Sequence, residues 1–176
     1  MQGENKLLKK YKKKHLINHA LSRLVDSKVK KIVIVVGYES NKVKKITKKS
    51  KKITFIKNKN FKKGMSSSIK LGLKKISKKD KGFIIVQSDM PFIKTLIINK
   101  IYNSILKKKH LVHALKFKNK VRNPIGFDIS VLNKFKKLKG DIGAKFMVKR
   151  LKKRTNFIKV ASEKNFKDFN LKKDFI

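Results

Sequence analysis

An α/β fold with a mainly parallel sheet covered by helices is predicted by three observations. Ile32-Val33-Ile34-Val35-Val36 is a run of five β-branched residues, and Phe83-Ile84-Ile85-Val86 is a second unbroken apolar run. Runs without polar alternation mark strands buried on both faces. Around them the apolar spacing turns helical, first at Leu16, Ile17, Ala20, Leu21, Leu24 and Val25, which share one helix face. Strands alternating with helices imply parallel pairing through helical crossovers. Finally, no internal repeat and no Pro/Gly/Ser-rich linker divides the 176 residues, a length that suits one domain with a sizeable core.

The elements follow in order. Gly37 ends the strand at 32–36, and a polar helix is expected over Ser40 to Lys49, then a short strand at Ile53 to Ile56. Ser66 is placed to cap a helix running through Ile69, Leu73 and Ile76. The Phe83 to Val86 strand ends at Gln87-Ser88-Asp89; a helix from about Lys94 to Lys108 and a strand at Leu111 to Phe117 come next. Lys118-Asn119-Lys120 turns the chain into another strand, Pro124 to Ile129. Two short helices, near Val131 to Leu138 and Ala144 to Lys152, precede a last strand at Phe157 to Val160.

The formal net charge is +41, from 51 Lys and Arg against 10 Asp and Glu. Such a field suggests a polyanion partner, because neutralised phosphates release counterions. Its makeup argues otherwise: only Arg23, Arg122, Arg150 and Arg154 are arginines, and the other 47 are Lys. Phosphate and base readers favour the planar arginine fork. Lys, Ile, Asn and Phe together make 92 of the 176 residues, and all four have AT-rich codons, so genome composition alone produces this surface. With 40% apolar residues the chain is not a disordered basic tail. No apolar run approaches 18 residues and the opening segment lacks a signal-peptide pattern, so the expectation is a cytoplasmic protein with no membrane partner. Cysteine is absent, which removes disulfides, thiolate metal sites and a Cys nucleophile.

Ligands of parallel α/β sheets bind beyond the carboxyl ends of the strands. The candidate segments are therefore Gly37-Tyr38-Glu39, Gly64-Met65-Ser66-Ser67-Ser68 and Ser88-Asp89-Met90-Pro91. Asp89 sits just past a buried strand, where a carboxylate can hold Mg²⁺ against substrate phosphates; the bland alternative is a turn or cap residue. Gly64 to Ser68 opens a helix whose N–H groups and hydroxyls can hold an anion or a ring edge, or form a plain Ser cap. Lys6 is one lysine among 47. His15 and His19 share a helix face without an HExxH glutamate, and His110 and His113 are expected on opposite sides of a strand, so all four read as structural. Neither a G-x-S-x-G elbow nor a Walker A sequence occurs.

Taken in order, several segments resemble the nucleotidyltransferase family of molybdenum cofactor cytidylyltransferases and guanylyltransferases. Gly3-Glu4-Asn5-Lys6-Leu7-Leu8 resembles a segment in which Asn-Lys-Leu-Leu follows a Gly, and His15 to Leu21 sits where the family has its first helix. Gly64 to Ile69 with Gly72-Leu73 is closer to the cytidylyl branch. Ser88-Asp89-Met90-Pro91-Phe92 resembles the Gly-Asp-Met/Gln-Pro metal motif, with Ser in place of Gly. Asn123-Pro124-Ile125-Gly126-Phe127 and Gly140-Asp141-Ile142-Gly143-Ala144-Lys145 resemble two later loops, and Asp168-Phe169-Asn170 through Asp174-Phe175 resembles the terminal motif.

The resemblance implies a three-layer Rossmann-like, GT-A-like nucleotidyltransferase fold over residues 1–176. It implies that an NTP, with CTP favoured, and a pterin-type or other phosphate acceptor give a dinucleotide cofactor plus pyrophosphate. Mg²⁺ is the implied cofactor, with Asp89 as its ligand and as a catalytic residue. Lys6 is implied as the catalytic point charge on the nucleotide phosphates. Gly64, Met65, Ser66, Ser67 and Ser68 would hold the nucleotide, and Asn123, Pro124, Gly140 and Asp141 would contact the acceptor. A target molybdoenzyme or chaperone is the implied protein partner. Family members start with a strand and a Gly-rich loop ahead of the Asn-Lys-Leu segment, whereas this chain starts almost at Gly3. The expectation is a truncated domain whose first central strand is missing, leaving the strands at 32–36 and 83–86 without a shared neighbour and nucleotide binding weak. Val121-Arg122, where the family often has Arg-Gly, is a further departure. Two other readings stay open: a basic nucleic-acid-binding module, although no RNP-type motif, zinc knuckle or helix-turn-helix signature is present, and a non-catalytic relative of the family.

Overall fold

The computed structural model describes residues 4–77, 79–170 and 172–175. Gly3, the first residue of the Asn-Lys-Leu segment, lies outside them. A hairpin of β1 (Lys10–Tyr11) and β2 (Lys14–His15) leads into α1 (Leu16–Val25). The chain continues through β3 (Ile32–Val36), α2 (Ser40–Ile46), β4 (Ile53–Lys57), α3 (Met65–Leu73), β5 (Gly82–Ile85) and α4 (Thr95–Leu106). It closes with β6 (Val112–Phe117), β7 (Lys120–Asp128), α5 (Ala144–Arg150) and β8 (Thr155–Lys159).

The sheet is mixed rather than mainly parallel. β3 and β4 pair in parallel, from Ile32 opposite Ile53 to Val36 opposite Lys57. A four-stranded sheet runs β5-β7-β6-β8, in which β7 is antiparallel to β5 and β6, while β8 is parallel to β6. The reversal follows from the two-residue turn at Lys118-Asn119: a parallel pair needs a crossover of a dozen or more residues. Lys118 takes φ 48 to make that turn. Among the described residues β3 pairs only with β4, and β5 only with β7; no described strand joins the two sheets.

β7 is the centre of the packing. Phe83 and Phe127 are cross-strand neighbours with rings 5.3 Å apart, and Phe135 meets Phe127 edge-on at 4.9 Å. Ile125 and Phe127 join Val131, Met147 and Val148 in the core on the α5 side. Each such side chain contributes about 2–3 kcal/mol by its burial. The intervening Gly126 faces α4: a Cβ there would stand 2.4 Å from Ile101 Cγ2, so α4 lies directly on the strand. Ile97, Ile98, Ile101 and Ile105 of α4 pack there with Ala20, Met90 and Leu115. Ile17, Val36 and Val43, with Leu7 and Leu8 against them, tie the first turn of the chain to β3.

Several element boundaries depart from expectation. The helix expected over 131–138 is a 3₁₀ segment, Ile129–Lys137, capped by Asp128 Oδ1, which accepts from Ser130 N–H at 2.9 Å. The polar helix stops at Ile46 and the last helix at Arg150. Ser66 does not cap α3; Gly64 is the N-cap residue and Ser66 lies inside the first turn, 2% exposed. The β1–β2 hairpin has no apolar alternation to announce it. Lys12 and Lys13, at φ 45 and 63, fill turn positions where glycine or asparagine is usual.

Candidate active site

Asp89 lies in a turn three residues past Val86, not directly on the strand end, because β5 stops at Ile85. Its residue is 9% exposed, and Phe169 N–H donates to its main-chain carbonyl at 3.0 Å. Lys6 Nζ stands 2.6 Å from Asp89 Oδ2 and 2.7 Å from Asn170 Oδ1. Lys6 opens a 3₁₀ turn, Lys6–Leu8, that Asn5 caps by accepting Leu7 N–H; Asn5 Nδ2 in turn donates to the Tyr38 carbonyl at 3.1 Å. The chain start is thereby fastened to the loop after β3, which aims Lys6 at Asp89. Asn170 Nδ2 donates to Asp168 Oδ2 at 3.1 Å, and Asn170 N–H to Asp174 Oδ2 at 2.9 Å. Residues 6, 89 and 170 thus meet from the two ends and the middle of the chain.

Asp89 Oδ1 is buried and has no hydrogen-bond partner. A buried oxygen left so costs about 1–3 kcal/mol, and a hard cation with oxygen ligands relieves that cost. The donor set therefore fits Mg²⁺ or Mn²⁺, with phosphate and water oxygens completing the shell. Among the described residues no three His, Cys, Asp or Glu side chains cluster around a common metal position.

The Gly64 to Ser68 segment differs from expectation in one respect. Its first helical N–H groups are not free for an anion: Met65 N–H donates to Asp141 Oδ1 at 3.0 Å and Ser66 N–H to the Gly140 carbonyl at 3.2 Å. Asp141 places a carboxylate at the positive end of α3, a favourable position for a negative charge. Gly64, at φ 91, makes the contact feasible: a Cβ there would stand 2.5 Å from the Gly140 carbonyl oxygen. Gly140 and Asp141 are therefore joined to the Gly64 to Ser68 segment itself. Asn58, just after β4 and 4% exposed, donates to Ser67 Oγ at 2.9 Å and Ser68 Oγ at 3.0 Å. Asn58 N–H also donates to the Val36 carbonyl at 2.7 Å, so the serines are fixed to the ends of both parallel strands. Asn123 Nδ2 donates to Gln87 Oε1, two residues before Asp89, and Pro124 beside it is buried.

With this geometry in place, the sequence profile of the MobA-like NTP transferase domain matches residues 1–155. The chain belongs to that family. Among curated proteins none matches it. A nucleotidyl transferase from Methanothermobacter thermautotroptrophicus superposes with a TM-score of 0.80 at 14% identity, covering 97% of this chain and 81% of the other. Rv0371c from Mycobacterium tuberculosis H37Rv, in its manganese complex, gives 0.75 at 14% identity, covering 90% and 83%. The 4-diphosphocytidyl-2C-methyl-D-erythritol synthase of Anaerococcus prevotii DSM 20548 gives 0.74 at 11%, covering 94% and 85%. At these identities the likeness establishes the nucleotidyltransferase Rossmann-like fold with a mixed sheet.

One polar residue of this transferase domain has no counterpart among the sequence expectations: Asn58, which orders the serines; Asn170 belongs to the expected terminal motif, though without its contact to Lys6. Asn58 has no signal at sequence level, since 13 Asn are scattered along the chain. The histidines stand apart from this site. His15 Nδ1 bonds the Leu8 carbonyl at 2.6 Å and His19 Nε2 the Tyr11 carbonyl at 2.9 Å, holding the hairpin on α1. His110 and His113 are not on opposite faces: their rings meet edge-on at 6.5 Å, because His110 precedes β6 and escapes the strand's alternation. No helix of the described residues is long and apolar enough to cross a membrane.

Proposed function

We propose that this transferase domain moves a cytidylyl group from CTP, with Mg²⁺, to a pterin-type phosphate such as molybdopterin, releasing pyrophosphate in the cytoplasm. A target molybdoenzyme or its chaperone would receive the product. The observation that carries the proposal is the Lys6–Asp89 pair, with one Asp89 oxygen on the ammonium and the other buried without a partner. Membership of the MobA-like NTP transferase domain family supports it, as does the cytidylyl-type Gly64 to Ser68 segment.

The reaction is a displacement at phosphorus. An acceptor phosphate oxygen forms a bond to the α-phosphorus of CTP; the bond from that phosphorus to the bridging oxygen breaks, and pyrophosphate leaves with the electron pair. A divalent ion bound at Asp89 supplies positive charge where the phosphate oxygens gather. Lys6 offers three N–H donors on a flexible stem and acts as a mobile point charge for phosphate oxygens. Ser67 and Ser68, ordered by Asn58, face the uncharged part of the nucleotide, since Asp141 at the start of α3 repels an anion there. Gly140 and Asp141 close over that part from the acceptor side, and Asn123 and Pro124 line the acceptor's approach beside Gln87. Fixed groups of this kind lower the barrier by positioning and electrostatics, with no covalent intermediate on the protein.

Competition between nucleotides tests the base. Equilibrium binding of CTP, GTP, ATP and UTP in the presence of Mg²⁺ is expected to favour CTP at least tenfold. Tighter GTP binding would move the assignment to the guanylyl branch.

A further inference from the structure

We propose that Lys6 is the resident cation of the Asp89 site: without nucleotide its ammonium holds the place of the divalent ion, and the ion enters as Lys6 moves onto a phosphate. The proposal rests on the reading of Asp89 as a metal ligand and adds to it an order of events. The oxygens of Asp89 and Asn170 lie 2.6 and 2.7 Å from one ammonium nitrogen. A divalent ion bound by Asp89 would sit about 2.0–2.6 Å from its carboxylate, within a few ångströms of that nitrogen. Two cations that close repel, more strongly beside a carboxylate only 13% exposed than in bulk water. They draw on one carboxylate, the ammonium through Oδ2 and the ion through the unpartnered Oδ1.

The residues around Lys6 are arranged for such an exchange. Its side chain is 31% exposed and that of Asp89 13%, so the lysine faces the opening and the carboxylate lies behind it. Asn170 is held by Asp168 and Asp174, while its neighbour Phe169 bonds the Asp89 main chain, so the latch oxygen is fixed and Lys6 is the part free to swing. Leaving Asp89 for solvent would strand a buried carboxylate; leaving it for a phosphate, with a metal ion taking over the carboxylate, keeps every charge paired. Metal ion and nucleotide therefore favour each other's binding, and by linkage the effect is reciprocal.

Manganese titration followed by electron paramagnetic resonance reads this directly, with Mn²⁺ alone as probe on the full chain. Lys6→Met is expected to bind Mn²⁺ at least tenfold tighter than the unaltered chain in the absence of nucleotide, and Lys6→Gln serves as the companion if the first folds poorly. Lys10→Met removes equal charge from an exposed neighbouring position and is expected to leave Mn²⁺ affinity unchanged. Adding Asp89→Asn to Lys6→Met is expected to erase the gain. CTP is expected to tighten Mn²⁺ binding more in the unaltered chain than in Lys6→Met. Equal Mn²⁺ affinity of Lys6→Met and the unaltered chain, while Asp89→Asn still abolishes Mn²⁺ binding with CTP, overturns the exchange and leaves Asp89 as the metal ligand. If Asp89→Asn changes no Mn²⁺ binding in any background, the metal reading of Asp89 falls as well.

Discussion

Gly64 and Gly140 meet backbone to backbone: a methyl group on Gly64 would stand 2.5 Å from the Gly140 carbonyl oxygen, whereas a methyl on Gly140 would meet nothing within 4 Å. The two glycines are unequal although both have positive φ, 91 and 58. Gly64→Ala combines strain with a clash and is expected to cost about 1–3 kcal/mol and to weaken nucleotide binding. Gly140→Asn, at a left-handed position that asparagine tolerates, is expected to cost well under that. Denaturant unfolding of both variants measures the difference.

Asn58 links Ser67 and Ser68 to the strand ends through a side chain that is 4% exposed. Asn58→Leu removes the donor to Ser67 and Ser68 and the acceptor for Asn60 N–H. The expected loss is about 1–3 kcal/mol of stability, together with a rise in the Kd for CTP. If CTP affinity is unchanged in the folded variant, the serines do not take part in holding the nucleotide.

His113 carries a pH dependence unrelated to the site. Burial pushes its imidazole below the ordinary value, against an opposing backbone hydrogen bond at His110 and the charge of Asp128. Ser104 Oγ lies 2.7 Å from His113 Nδ1 and accepts from Asn156 Nδ2 at 2.8 Å, which fixes the ring in its buried place. The unfolded chain binds the proton more readily than the folded one, so stability falls as pH drops through about 6.5 toward the lower folded value, and is constant above it. His113→Gln is expected to flatten that part of the stability profile between about pH 7 and pH 5.

The net charge of +41 predicts non-specific attraction without selectivity. A gel-shift titration is expected to show DNA and RNA binding at low salt that vanishes by about 200 mM. Sequence-selective binding surviving that salt would support the nucleic-acid reading instead.

How much of this was legible beforehand depends on what each feature is made of. The strands expected at Ile32–Val36 and Phe83–Val86 and the helix at Leu16–Val25 are written in apolar spacing, and their bounds hold within one residue, the second strand being Gly82–Ile85. The Lys10–Lys14 hairpin is not, because lysines with positive φ carry no turn signature. Asp89 could be picked out by its place after a buried strand. Lys6, one of 47 lysines, and Asn170, 164 residues from it, are singled out only through the family resemblance, and no local pattern announces that they meet at Asp89. The first-turn N–H groups of α3 were expected to face a ligand, but their acceptors, Gly140 and Asp141, come from a loop 76 residues further on in the case of Met65. Contacts of that range are set by packing of the whole domain, which no local pattern encodes.

Cytidylyl transfer at Asp89 is measured by pyrophosphate release from CTP and Mg²⁺ with and without a molybdopterin acceptor. Release is expected to require the acceptor, to transfer the labelled α-phosphate to it, and to fall about 10²–10³-fold in Asp89→Asn, as when a group stabilising transition-state charge is lost. Release that ignores the acceptor, or that survives Asp89→Asn undiminished, would contradict cytidylyl transfer at Asp89.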